Sequence, residues 1–141
     1  MHVRVRATVG AAVLAMLLAL AGAVPVAAAP ARTSSTTPAV NHFAAIAVEP
    51  ATAASGVSYG YTTKAGAKTR AKNECRSAAT HPANCQVLVW VANGCAAVAY
   101  KVRSGGGYRY GAAYAATKRG AKQRAKNAIG GGSILAWACS G

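Results

Sequence analysis

The sequence predicts an α+β domain: about six strands in one sheet or open barrel, two helices packed on it, and two disulfides as staples. Three observations carry this. Segments with strand and helix periodicity follow one another in the order strand, strand, helix, strand, and that order occurs twice. Four cysteines lie downstream of an apolar leader, the usage of an exported chain. Beyond the leader, bulky aliphatic residues are sparse and alanine is abundant, a thin core that needs covalent help.

The elements follow in order. Arg4 and Arg6 precede an uncharged run from Ala7 to Ala31, most apolar at Val13 to Leu20 and ending in the small residues VPVAAAPA. A basic start, a short apolar stretch and small residues before a cleavage point describe a signal peptide over residues 1–31, cut after Ala28 or Ala31. The alternative, an uncleaved anchor, is disfavoured by the alanine, glycine and proline that make the second half weakly hydrophobic. Residues 32–41 (RTSSTTPAVN) are polar and aperiodic, a flexible linker. Residues 42–141 then form a single domain, with strands expected at Phe43 to Glu49 and Val57 to Tyr61. Ala67, Ala71, Cys75 and Ala78 recur at helical spacing within a helix from Lys64 to Ala78. Gln86 to Val91 is β-branched and aromatic, a buried strand. Asn93-Gly94 between two apolar runs reads as a two-residue hairpin into a strand at Ala96 to Lys101. Ser104 to Gly107 turns into Tyr108 to Ala112, a second helix spans Lys118 to Ala128, and Ile134 to Cys139 closes the domain.

The domain reads as one unit used twice, over residues 43–92 and 95–140. TKAGAKTRAKNEC (Thr63 to Cys75) and TKRGAKQRAKNAI (Thr117 to Ile129) agree at nine of thirteen positions. AAIAV (Ala44 to Val48) matches AAVAY (Ala96 to Tyr100), Tyr59-Gly60 matches Tyr110-Gly111, and VLVW (Val87 to Trp90) matches ILAW (Ile134 to Trp137), all in the same order. The alignment also bears on cysteine pairing. Cys75 and Cys85 correspond to Ile129 and Gly132, and Cys95 and Cys139 to Phe43 and Ala92, so each pair is absent together from the other unit. Cysteines that bond to each other tend to come and go together, which favours Cys75–Cys85 and Cys95–Cys139, with the other two pairings still open.

The succession Tyr59-Gly60-Tyr61, an alanine-rich helix ending in Cys75, CQVLVW from Cys85, GCAAVA from Gly94 and AWACS from Ala136 resembles a small secreted bacterial family catalogued as domain of unknown function 4189. The resemblance covers Phe43 to Ser140 and implies export and a disulfide-bonded domain, with no activity or catalytic residues to carry over. The chain departs from the family pattern in lacking a counterpart of the Cys75/Cys85 pair in its second unit. Its helices are almost purely basic, where those of the family commonly carry glutamates.

Sixteen Lys and Arg face two acidic residues in 141, a formal charge of +14. With no aspartate, and Glu49 and Glu74 the only carboxylate side chains, paired-carboxylate catalysis, a Ser-His-Asp triad and acidic metal sites are nearly excluded. His42 and His81 could serve an enzyme only with one of these glutamates, and an even number of cysteines in an exported chain argues against a free nucleophilic thiol. No enzyme activity, metal or cofactor is expected. Lys64, Lys68, Lys72 and Arg76 repeat every four residues, as do Lys118, Lys122 and Lys126, with Arg70, Arg119 and Arg124 beside them. These ten residues are the candidate anion-binding set. The plainer reading is a solvated face; the sharper one is a surface for an anionic envelope polymer, with nucleic acid not expected as the physiological partner. A secreted cationic effector or inhibitor acting on a protein or membrane is the alternative function. Tyr59 with Tyr61 and Tyr108 with Tyr110 are expected to share strand faces. Trp90 and Trp137 are expected in the core.

Overall fold

The computed structural model describes residues 40–141; residues 1–39, which hold the expected signal peptide and most of the expected linker, lie outside the described residues. Six strands form: β1 (Phe43–Val48), β2 (Ser55–Tyr61), β3 (Gln86–Ala92), β4 (Cys95–Val102), β5 (Tyr108–Ala115) and β6 (Ser133–Cys139). Helix α1 (Lys64–Ala78) lies between β2 and β3, and α2 (Lys118–Asn127) between β5 and β6. A short 3-10 turn at Pro82–Asn84, not anticipated from the sequence, follows α1.

The expected single sheet or open barrel is replaced by two antiparallel sheets, ordered β2-β1-β3 and β5-β4-β6. The central strands explain why. Alternation sends Ala44, Ile46 and Val48 of β1 to one face and Ala45 and Ala47 to the other, and all five are fully buried. In β4, Ala96 and Val98 are likewise buried on one face, with Ala97 and Ala99 on the other. A single sheet with both helices on one face would leave the Ile46, Val48 and Val98 side in water. Two sheets packed face to face bury it, at roughly 1.5–3 kcal/mol for each large aliphatic side chain. Val89 and Val91 of β3 and Ala136 and Ala138 of β6 complete this central core. The remaining face of each sheet receives a helix: α1 seats Ala67, Ala71 and Cys75 on β1, and α2 seats Ala121, Ala125 and the following Ile129 on β4. The result is four layers, helix, sheet, sheet, helix. The helices, expected together on one face, occupy opposite sides.

Asn93-Gly94 is a corner between the sheets and not a hairpin within one. Asn93 N–H donates to His42 O, extending the β1–β3 pairing, whereas Ser140 N–H donates to Gly94 O, extending β4–β6. The chain therefore changes partner strand between adjacent residues. Asn93 takes φ 50°, and a side chain at Gly94 would meet Ala115 O at 2.9 Å, so the short polar residue and the glycine both have local causes.

Local chemistry fixes the helix starts in the same way. Thr63 Oγ1 accepts from Gly66 N–H and Thr117 Oγ1 from Gly120 N–H, each at 3.1 Å. The disulfides are Cys75–Cys85, joining α1 to the residue before β3, and Cys95–Cys139, joining directly opposed residues of β4 and β6. Their sequence separations of 10 and 44 correspond to about 3 and about 4 kcal/mol of unfolded-state restriction.

The thin layers require backbone-to-backbone approach. A Cβ at Gly111 would run into Ala125 O and come within 3.1 Å of Ala128 Cβ, whereas one at Gly105 would meet nothing. Gly111→Ala is therefore expected to destabilise by about 2–3 kcal/mol and Gly105→Ala by less than about 0.5, read from urea midpoints. Equal effects at the two positions would contradict the close α2–β5 packing.

Candidate anion-binding faces

In α1 the buried ridge Ala67, Ala71, Cys75 has Lys64, Lys68 and Lys72 three residues before its members. That offset places the lysines on the neighbouring ridge, along the trough between helix and sheet. Lys68 and Lys72 are accordingly half-buried at their stems. In α2 Lys118, Lys122 and Lys126 stand in the same relation to Ala121, Ala125 and Ile129, with Lys122 and Lys126 half-buried. Each trough ends at a tryptophan. Lys64 Nζ lies 3.6 Å from the centre of the Trp90 ring, and Lys118 and Lys122 Nζ lie 3.5 and 5.0 Å from that of Trp137.

Neither tryptophan is in the core. Trp90 is 38% and Trp137 42% exposed. Val89 and Val91 occupy the inter-sheet face of β3, so Trp90 between them points to the helix side. Both β3 and β6 are edge strands, and a helix lying over β1 and β2, or over β4 and β5, leaves their outer side chains at the rim. The tyrosines also differ in part from expectation. Gly60 at φ 71°, with a register shift between Phe43 and Ala45, interrupts the alternation. Tyr61 thus packs against the α1 cluster while Tyr59 stands 73% exposed. Tyr100, Tyr108 and Tyr110 do pack together, with ring centres 5.8 and 6.1 Å apart along the series.

The ten basic residues form two separate faces. On the α1 side Arg70 pairs with Glu74, and Arg76 lies in the last turn. Helix α2 carries Lys118, Arg119, Lys122, Arg124 and Lys126 with no acidic residue, whereas α1 holds Glu74. Arg124 Nη1 also donates to Tyr114 O at 3.2 Å, covering part of the open edge of β5. Three further cations on this side lie outside the candidate set read from the sequence, where Arg109 figures only as the residue between Tyr108 and Tyr110. Lys101, Arg103 and Arg109 surround a cleft that reaches Ile129 at the end of α2. Lys101 and Arg109 are directly opposed across β4 and β5, a like-charge pairing that costs stability. Pairing the strands outward from the Ser104–Gly107 turn would have revealed it.

Of the other chemically able groups, Glu49 and Tyr110 are engaged in structure. Glu49 is buried, and its carboxylate accepts from Ala51 N–H at 3.0 Å, Thr52 N–H at 2.9 Å and the Thr52 hydroxyl. The Thr52 hydroxyl foremost, then the Ala51 amide, hold its pKa below the usual 4.5. Tyr110 Oη donates to Pro50 O at 3.1 Å across the two halves, and burial pushes its phenol up to about 12. His81 is exposed before the 3-10 turn, and His42 lies beside Gly141. Among the described residues no group of three or more His, Cys, Asp or Glu is placed to hold a metal, and no helix is long and apolar enough to cross a membrane.

A carboxylate with a lowered folded pKa contributes stability that is present above its unfolded value and lost as pH falls through its folded one. Glu49→Gln is therefore expected to be less stable than the parent at neutral pH and to lose less stability on acidification below pH 4.5. Urea midpoints measured from about pH 6 to about pH 2 check this, and parallel curves for the two proteins would contradict it.

Comparison with known proteins agrees with this fold. The chain is similar to Rv1813c from Mycobacterium tuberculosis, solved by NMR, at 26% identity and a TM-score of 0.51, covering 91% of this chain and 99% of that one. No curated protein matches the chain. The family model described as domain of unknown function (DUF4189) matches residues 43–139, and the chain belongs to that family.

Proposed function

We propose that this is a secreted, non-enzymatic domain that binds anionic polymers of a cell envelope through its basic helical faces. The observation that carries the reading is the pair of lysine ridges, each lying in a helix–sheet trough and ending at a partly exposed tryptophan. Lysines held against an aromatic ring and a sheet edge lose less side-chain freedom on meeting an anion than lysines waving in solvent. Each cation near an anionic surface is worth on the order of 1 kcal/mol, so a ridge acting together is enough for useful affinity. Two disulfides accord with an oxidising compartment, and the leader over residues 1–31 reads as the route there. Both carboxylate side chains are engaged, Glu49 by its turn and Glu74 by Arg70, which favours a binding role over catalysis.

The same reading takes the domain to be a duplicated unit fused in one chain. β2 packs across from β6 and β3 from β5, with β1 facing β4, the reciprocal pattern of a two-fold interface between like parts. Duplication multiplies the lysine-rich helix. The apolar faces of both helices are covered by the sheets, which argues against insertion into a lipid bilayer.

The mature protein is expected to be retained on purified cell envelopes at low salt. Retention should fall by roughly tenfold or more as salt rises from about 50 mM to about 200 mM. Absence of retention at low salt, or retention indifferent to salt, would remove electrostatic binding.

A further inference from the structure

We propose that the domain is a bridge: its two basic faces engage two different polyanion chains at once. This rests on the reading that the faces bind anionic polymer at all, and adds how many chains one molecule holds. The helices are the outer layers of a four-layer stack, with the central core of Ile46, Val48 and Val98 between the sheets. Layers pack about 10 Å apart, so the helix axes lie on the order of 30 Å from each other, and the troughs just inside them about 20 Å or more apart on opposite sides. The screening length at physiological salt is about 8 Å. An anion seated on Lys64, Lys68 and Lys72 is therefore electrostatically invisible to Lys118, Lys122 and Lys126. A single extended chain cannot lie in both troughs without wrapping around a sheet edge, whereas two chains can each take one.

The faces are unequal in a way that suits this role. The α2 side adds Lys101, Arg103 and Arg109 to a helix with no acidic residue, while the α1 side carries the Arg70–Glu74 pair. Each face holds a chain by its own cations, the α2 face more tightly than the α1 face. The partner chemistry also follows from the tryptophans. With an ammonium 3.5–3.6 Å from the ring centre, one face of each indole is occupied by a cation and unavailable for base stacking. A phosphodiester chain without aromatic groups fits better than a nucleic acid.

A sandwich assay tests this. Poly(glycerol phosphate) is immobilised on beads, the mature protein is bound, and fluorescent poly(glycerol phosphate) is offered in solution. The parent protein should capture the labelled chain. Lys64→Glu/Lys68→Glu/Lys72→Glu and Lys118→Glu/Lys122→Glu/Lys126→Glu should each still bind the beads through the untouched face, which also shows that they fold. Both should lose capture by about tenfold or more. Capture retained by either variant would overturn bridging, because one face plus self-association would then explain it. Loss of all bead binding by either variant, with the far-UV spectrum unchanged, would mean one composite site and would overturn bridging too. Failure of the parent to bind beads at low salt would remove the polymer-binding reading itself. Preferential displacement of the captured chain by single-stranded DNA of equal charge would replace the polymer assignment with nucleic acid.

Discussion

Everything in this domain depends on two central strands, β1 and β4, being buried on both faces. A strand in an antiparallel sheet commonly shows one face to water, and its sequence then alternates apolar and polar. Ala44 to Val48 and Ala96 to Ala99 do not alternate, and all nine residues are fully buried. Each central strand must therefore be covered twice, once by the opposite sheet and once by a helix. In a domain this small, only a helix–sheet–sheet–helix stack achieves this for both strands.

The helices and the charge pattern follow from that demand. The helix-facing residues are alanines, so the helices sit close, and Gly56 and Gly111 are placed where any side chain would collide with helix backbone. Helices whose inner faces are alanine can carry charge only along the trough and outer ridges, where the lysines are found. Polar groups trapped by the stack are satisfied locally: Ser58 Oγ accepts from Ala45 N–H and donates to Ala67 O, and Ser140 Oγ accepts from Gly94 N–H. No buried side-chain polar atom among the described residues lacks a partner.

Local features of the fold were largely legible in the sequence, and their assembly was not. Helical spacing of Ala67, Ala71 and Cys75 located α1, and the joint absence of cysteines in the aligned segments led to both disulfides. Sheet count was hidden because an Asn-Gly corner uses the same residues whether the flanking strands pair with each other or, as here, with His42 and Ser140 of other segments. The side taken by each helix depends on that count. Trp90 and Trp137 misled for a related reason: an apolar run signals burial on a central strand, but on the edge strands β3 and β6 one flank stays open. Of the candidate anion-binding residues, the helical ones were visible as a repeat every four positions. Lys101, Arg103 and Arg109 were not, because only strand pairing and the end of α2 bring them together.

The claim on which binding valency rests is that α1 and α2 lie on opposite sides of the sandwich. The most direct measurement is a pulsed electron–electron distance between spin labels on genetically encoded side chains at Lys68 and Lys122, leaving the disulfides intact. Three layer spacings of about 10 Å predict a single distribution centred at roughly 30 Å or beyond. A distribution centred below about 20 Å, as for helices packed side by side at 8–10 Å with labels attached, would contradict the account.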